Sequence, residues 1–307
     1  MVVKLQTLDF ADFTSGPAER REAVAKQLGN SFINHSFVKL INHGVPDALV
    51  QDLFAWSKKF FKLNREQKSK LPHVPNSGLQ RGWSGKGSEQ TAYLHKGNVG
   101  EIAPEHLVDE KEHFDCGPPN DDQHPNFWPA PEDLPGFRKF FEHLYTYGQT
   151  ISLQIMKACE VGLNLLPGTL TARCDPAASE FRFNHNPAVS IEKLQQRLQK
   201  RTWPRTDLGI ITLLFQDTVG ELELEDRKGG GFSPVVREGD NEMVINISDT
   251  LQRWTNDCIR AGLHQVTNPV PQKDDEAGML AERYSCVFFL KAHRETNVGA
   301  LTTYIYY

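Results

Sequence analysis

Basic excess, long apolar runs and paired cysteines are all missing from this 307-residue chain. Lys and Arg total 34 against 39 Asp and Glu, a net charge of −5. That balance leaves no basic stripe for nucleic acid and no polybasic patch for a membrane surface. No segment approaches the ~18 consecutive apolar residues needed to span a bilayer. The opening "MVVKLQTLDFADF" alternates apolar and polar residues and has no continuous apolar stretch of the signal-peptide kind. The five cysteines (Cys116, Cys159, Cys174, Cys258 and Cys286) are scattered, odd in number and without a Cys-x-x-Cys pair. Such usage predicts reduced thiols, not a disulfide framework. Repeats and low-complexity tails are absent too. The expectation is a cytoplasmic protein, monomer or weak homodimer, whose partners are small molecules.

What is present is enough apolar sequence, 39% of residues, to bury one large core or a core with an appended module. Residues 17–34 have helical spacing after a proline start, and "SFVKLINHGV" (36–45) reads as a buried strand. Residues 46–63 place Leu49, Leu53, Trp56 and Phe60 on one helical face. Residues 72–136 are rich in Gly, Pro, Asn and Asp with little periodicity, as expected of loops that cover a site. A long helix is predicted over 135–165. After residue 178 short strands with turn signals recur at the spacing of a sandwich or barrel. "RKGGGF" (227–232) reads as a hairpin turn, because a phosphate-cradling loop needs a helix behind it. The predicted fold is mainly β with α: a double-stranded β-helix, or jelly roll, with a helical N-terminal module and a long supporting helix. Residues 1–125 would form the α/β module with lid loops. Residues 126–307 would carry the long helix and the core, in one integrated unit.

Chemistry-bearing residues lie on the predicted strands. Asp207 opens one strand, His264 sits in "AGLHQV", and "RYS" puts Arg283 and Ser285 at the start of another. A carboxylate and an imidazole on facing jelly-roll strands supply two-thirds of the two-His-one-carboxylate set that binds non-haem Fe(II). An arginine and a hydroxyl at period-2 spacing face one side and suit a carboxylate clamp. A lone strand Asp or His is more often structural; in this order and company they point to a site.

These residues, with "FVKLINHGV", "RGWSGKGSE", "KEHFDCG", "NFWPAPEDLPGFR", "TDLGIITLLFQD", "ISDTLQRWTND" and "RYSCVFFLKAH", resemble the Fe(II)/2-oxoglutarate-dependent dioxygenases over nearly the whole length. The likeness is to the isopenicillin N synthase-like branch, in particular its fungal secondary-metabolism members. It implies iron-ligand positions at Asp207 and His264. It also implies that Arg283 and Ser285 hold the distal carboxylate of 2-oxoglutarate, with Asn186 at a further co-substrate position.

The sequence departs from that family in three places. Where the family's strand reads His-x-Asp, this one reads Arg205-Thr206-Asp207. Arginine has only donors and stays protonated, so it cannot ligate a metal. A guanidinium ~4 Å from a divalent cation repels it by roughly 8 kcal/mol at an effective dielectric of ~20. Asn186 stands where many members carry tyrosine, and Glu221 where glycine is usual. His185 should point away from the site by strand alternation, and His293 lies on a departing strand, so neither replaces the lost ligand. The expected activity is therefore a redox-neutral reaction (elimination, isomerisation or cyclisation) of a polyketide, terpenoid or alkaloid intermediate. Arg205, Asp207 and His264 would be the catalytic residues. The alternatives are a true Fe(II)/2-oxoglutarate oxygenase using Asp207 and His264, and a non-catalytic pseudoenzyme in which Arg205 only fills the void beside Asp207.

Overall fold

Two β-sheets face each other across a cavity in the computed structural model, which describes residues 4–73, 80–88, 108–192, 199–267 and 278–304. The N-terminal elements are β1 (Thr7–Asp9), α1 (Ala11–Thr14), α2 (Ala18–His35), β2 (Phe37–Ile41), α3 (Asp47–Phe61) and α4 (Arg65–Ser69). Next come β3 (Gly82–Ser84), β4 (Val108–Asp109), β5 (Glu112–Cys116) and the long α5 (Phe137–Gly162). The remaining strands are β6 (Glu180–Asn186), β7 (Val189–Ser190), β8 (Gln199–Lys200), β9 (Thr202–Arg205), β10 (Ile211–Gln216) and β11 (Leu222–Glu225). They are followed by β12 (Phe232–Pro234), β13 (Met243–Ile247), β14 (His264–Val266), β15 (Met279–Leu280) and β16 (Arg283–Leu290).

The major sheet has the order β1-β2-β13-β10-β16-β6-β5-β3, and the minor sheet β12-β11-β14-β9. This is the predicted jelly roll with its helical N-terminal part. Three expectations are corrected in detail. The strand predicted over 36–45 is only Phe37–Ile41; Asn42 and Gly44 both take positive φ and turn the chain towards α3. Residues 72–136 are not only loops: β5 there is wholly buried and pairs with β6 in the major sheet. Its polar residues, Glu112, His113 and Asp115, hid the strand; Glu112 pairs with Lys68 (2.9 Å) and Asp115 with Arg182 (2.7 Å), both buried. Residues 74–79 and 89–107 of the predicted lid loops lie outside the described residues. Finally, the 201–217 segment holds two strands, and Asp207 opens neither. It leaves the minor sheet at Arg205 and joins the major sheet at Ile211, so Asp207 sits in the crossing turn instead of opening a strand. The turn is held by Ile210 N–H donating to Leu290 O (2.8 Å) and Asp249 N–H donating to Asp207 O (2.8 Å).

Alternation along each major-sheet strand separates two environments. Phe181 and Phe183 of β6, Leu213 and Phe215 of β10 and Cys286 and Phe288 of β16 join the main apolar core with Phe137, Phe141 and Leu144 of α5. Gly148 lets that helix close on the sheet, since a Cβ there would lie 2.3 Å from the Phe288 ring. The intervening residues face the minor sheet and are largely polar. The 227–232 segment is the predicted hairpin, linking β11 to β12.

Candidate active site

The space between the sheets is a cavity of about 540 Å³. β16 contributes Arg283, Ser285, Val287 and Phe289, β6 contributes Asn184 and Asn186, and β10 and β13 contribute Thr212 and Asn246. From the minor sheet come Arg205 and His264, which are direct register partners across the β9–β14 pair. Asp207 reaches in from the crossing turn. Residues 205, 207, 264, 283 and 285, far apart in sequence, thus line one cavity, as does Asn186.

Asp207 is the hub. Its Oδ2 accepts from Thr212 Oγ1 (2.7 Å) and Asn246 Nδ2 (3.0 Å). Its Oδ1 lies 3.8 Å from both Arg205 Nε and His264 Nε2. Both gaps exceed a hydrogen bond, so charge is balanced here without the groups being tied together. Burial alone would raise the Asp207 carboxyl. The His264 and Arg205 side chains, with the two hydrogen bonds, outweigh it and hold the group below the usual carboxylate range. His264 Nδ1 lies 2.9 Å from Gly262 O, which can only accept, so the proton sits on Nδ1 and the Nε2 lone pair faces Asp207. Burial lowers the His264 pKa, Asp207 opposes that, and Arg205 reinforces it, so the ring is neutral at pH 7. The Arg205 Nη1 atom is buried with no hydrogen-bond partner.

At the other end Arg283 Nε donates to Gly220 O (2.6 Å), Nη1 to Ser285 Oγ (3.2 Å) and Nη2 to Gln216 Oε1 (3.3 Å). Behind it Arg201 Nη1 lies 2.7 Å from Glu221 Oε2, with both side chains buried. Burial pushes Glu221 up to about 7 against the pull of Arg201 and Arg283. Glu221 also holds a φ of +67°, a conformation that favours glycine. Asn186 lines the cavity, but its Nδ2 donates to Glu110 O (3.0 Å) and Arg201 O (3.3 Å). Its donors hold the backbone and do not project at a ligand. His185 points to the opposite face, stacked on Tyr284 (4.7 Å, 13°) with Nδ1 3.0 Å from Glu112 Oε1.

Sequence reasoning missed Lys111, Thr212 and Asn246 as lining residues. Thr212 and Asn246 could have been found, as polar interruptions at period 2 in the apolar runs "IITLLF" and "MVINI". Lys111 offered no such signal, lying in the stretch read as loop.

Residues 5–131 match the model of the N-terminal region of the non-haem dioxygenases in morphine synthesis, and residues 179–292 match that of the 2OG-Fe(II) oxygenase superfamily. The 2-oxoglutarate-dependent dioxygenase imqE of Aspergillus flavus is 41% identical, over 98% of this chain and 88% of the relative. The 2-oxoglutarate-dependent dioxygenase ecdK of Aspergillus rugulosus is 39% identical, over 97% and 91%. The chain belongs to the 2OG-Fe(II) oxygenase superfamily. Among solved structures, full-length Neurospora crassa T7H in complex with alpha-KG superposes with a TM-score of 0.85 at 28% identity, covering 96% of this chain and 87% of T7H.

The co-reactants of the 2OG-Fe(II) oxygenases are iron and 2-oxoglutarate, and this cavity suits them unequally. Arg283 and Ser285, side by side on the cavity wall, are the residues that would hold a carboxylate of 2-oxoglutarate. Among the described residues, those lining the cavity do not make up a three-ligand iron site. Asp207 and His264 offer two donors, and the group paired with His264 across the strands is Arg205, which has no lone pair to give. Among the described residues no cluster of three or more His, Cys, Asp and Glu could hold a metal ion. No described helix is long and apolar enough to cross a membrane.

Proposed function

We propose that this oxygenase-family chain is a small-molecule tailoring enzyme catalysing a redox-neutral reaction. Arg205 holds an anionic or carbonyl oxygen of the substrate, while His264 and Asp207 manage the proton. The observation that carries this reading is Arg205 itself: a guanidinium directed into the cavity, its Nη1 buried and unpartnered, opposite His264. Donors aimed at developing negative charge in a water-poor site are among the largest contributions to catalysis. The neutral His264 Nε2 takes a proton from the carbon beside the carbonyl, and the oxyanion so formed is stabilised by Arg205. The imidazolium, balanced by the Asp207 carboxylate, returns the proton at another carbon or to a leaving group. The net result is isomerisation or elimination with no electrons gained or lost; cyclisation follows if the carbanion attacks within the molecule. A polyketide, terpenoid or alkaloid intermediate carrying an acidic C–H next to a carbonyl is the matching substrate class.

A second reading, iron-dependent oxidation of the substrate with decarboxylation of 2-oxoglutarate, draws on the likeness to 2-oxoglutarate-dependent dioxygenases such as imqE and on Asp207, His264, Arg283 and Ser285 sharing one cavity. Metal analysis of the purified protein with a succinate-release assay separates the two. The redox-neutral reading expects sub-stoichiometric iron and no succinate from 2-oxoglutarate under Fe(II), ascorbate and air. Stoichiometric iron with succinate production overturns it. Arg205→His should raise Fe(II) affinity by restoring an imidazole beside Asp207.

A further inference from the structure

The turn between β10 and β11 grips the start of β16 at two points. Gly220 O accepts from Arg283 Nε (2.6 Å), and Asp217 Oδ2 accepts from Tyr284 N–H (2.6 Å). Asp217 Oδ1 also accepts from Val219 N–H (3.0 Å), so backbone donors anchor that carboxylate. Glu221, which closes the turn, has no such anchor. Its side chain is 1% exposed and lies 2.7 Å from Nη1 of the fully buried Arg201, but the two are not aligned as a hydrogen bond. Both Glu221 oxygens, with Nε and Nη1 of Arg201, are therefore buried without a hydrogen-bond partner. The Glu221 backbone takes a φ of +67° directly after Gly220 at +75°, a conformation that glycine adopts at less cost. Accepted hydrogen bonds are what normally hold a buried carboxyl ionised. With none here, only the charges of Arg201 and Arg283 oppose burial, and the Glu221 carboxyl is raised to about 7. The charged groups acting on it are Arg201, from the link between β8 and β9, Arg283 of β16, and Asp217 just past β10. The segment after β14 adds a backbone donor, Thr267 N–H to Glu221 O (3.1 Å). With Glu221 ionised, two cations meet two carboxylates. With it protonated, the set carries one surplus positive charge. Neither Glu221 nor Arg201 lines the cavity, so a ligand on Arg283 feels that surplus without touching its source.

We propose that Glu221 and Arg201 are positioning residues behind Arg283, and that a carboxylate docking on Arg283 draws a proton onto Glu221. A ligand anion on Arg283 disfavours a second negative charge nearby, so Glu221 holds its proton more tightly in the complex than in the free protein. One negative charge and one proton, taken from the buffer, enter together and leave the charge of the set unchanged. The sign follows: the affinity for an anion on Arg283 falls as pH rises through the Glu221 range. The inference rests on Arg283 as a carboxylate holder, whichever reaction the cavity supports, so its failure leaves the redox-neutral reading standing.

The test is anaerobic calorimetric titration of the full-length protein with 2-oxoglutarate, in EDTA and again with Fe(II), using buffers of high and low ionisation enthalpy. The ligand's carboxylates stay ionised from pH 6.5 to 8.5. Over that range the affinity of the unaltered protein should fall ~5-fold or more, with about half a proton taken up per ligand at pH 7. Glu221→Gln fixes the surplus charge. It should bind without the fall and, at pH 8.5, ~5-fold or more tightly than the unaltered protein, whereas loss of a merely structural group would weaken binding. Thermal melts report that the variant is folded. Should it not fold, the double variant Arg201→Met with Glu221→Gly removes both buried charges and should show the same flat profile. A flat profile in the unaltered protein, proton uptake that persists in Glu221→Gln, or no binding of 2-oxoglutarate in either condition each overturns the proposal.

Discussion

The two faces of the major sheet obey different rules although they share the same strands. On the face towards α5, Phe141 meets Phe181 and Phe183 at ring-centroid distances of 5.0 Å. On the face towards the minor sheet, the next residues along the same strands are Asn184, Asn246, Arg283 and Ser285. The first face is filled by shape. The second is held open by charge and by hydrogen bonds such as those that fix Asp207, and leaves Arg205 Nη1 and Asn184 Oδ1 without partners. Stability resides mainly on one face and chemistry on the other, one residue apart.

The sharpest way to break that contrast is to substitute neighbours on β6. Phe183→Ala should cost roughly 3 to 5 kcal/mol, because a fully buried ring leaves a cavity in a packed cluster. Asn184→Ala, one residue on, should cost under about 1 kcal/mol, since its Oδ1 bonds to nothing. Denaturant unfolding of both variants checks this; equal losses would mean that the cavity face is packed as tightly as the core.

Next in size is a pH effect on the cavity side. The Glu221 carboxyl is raised to about 7, so the folded state binds its proton more tightly than the unfolded chain does. Its stabilising effect is therefore full below the unfolded value near 4.5 and is lost as pH rises through about 7. The loss is on the order of 3 kcal/mol if the whole shift is expressed. Unfolding free energies from pH 4 to 8 should decline less in Glu221→Gln than in the unaltered protein. Parallel curves would show that Glu221 is ionised throughout.

A smaller loss, about 2 kcal/mol, is expected for Asn246→Ala, which removes a hydrogen bond to the buried Asp207 carboxylate. Thermal melts measure it, and an unchanged Tm would mean that water takes over the contact. The least effect on stability, under about 1 kcal/mol, is expected for Arg205→Ala, since no hydrogen bond ties the guanidinium to Asp207. Turnover of the same variant should fall by ~10²-fold, as on losing an oxyanion donor. A large drop in Tm with full activity would make Arg205 a filler of space.

Much of this was legible from local pattern. Period-2 alternation in "RYSCVFFL" assigned Arg283 and Ser285 to one face, because a strand sends successive side chains to opposite sides whatever it pairs with. The same rule turned His185 away from the cavity. The absence of an acceptor on Arg205 was chemistry, readable without coordinates. Local pattern could not supply the partners. That Arg205 lies opposite His264 depends on the register of β9 against β14. That Asp207 sits in a turn depends on where the chain crosses from one sheet to the other. Lys111 reaches the cavity only because β5 pairs with β6, and the polar run of β5 disguised it as loop. Residue type and period are properties of a few consecutive residues, and the sequence by itself determined those: which side chains share a face, and which of them could never hold a metal. Which residues meet across the cavity was decided by tertiary structure alone, because pairing between distant segments is selected by the packing of the whole chain.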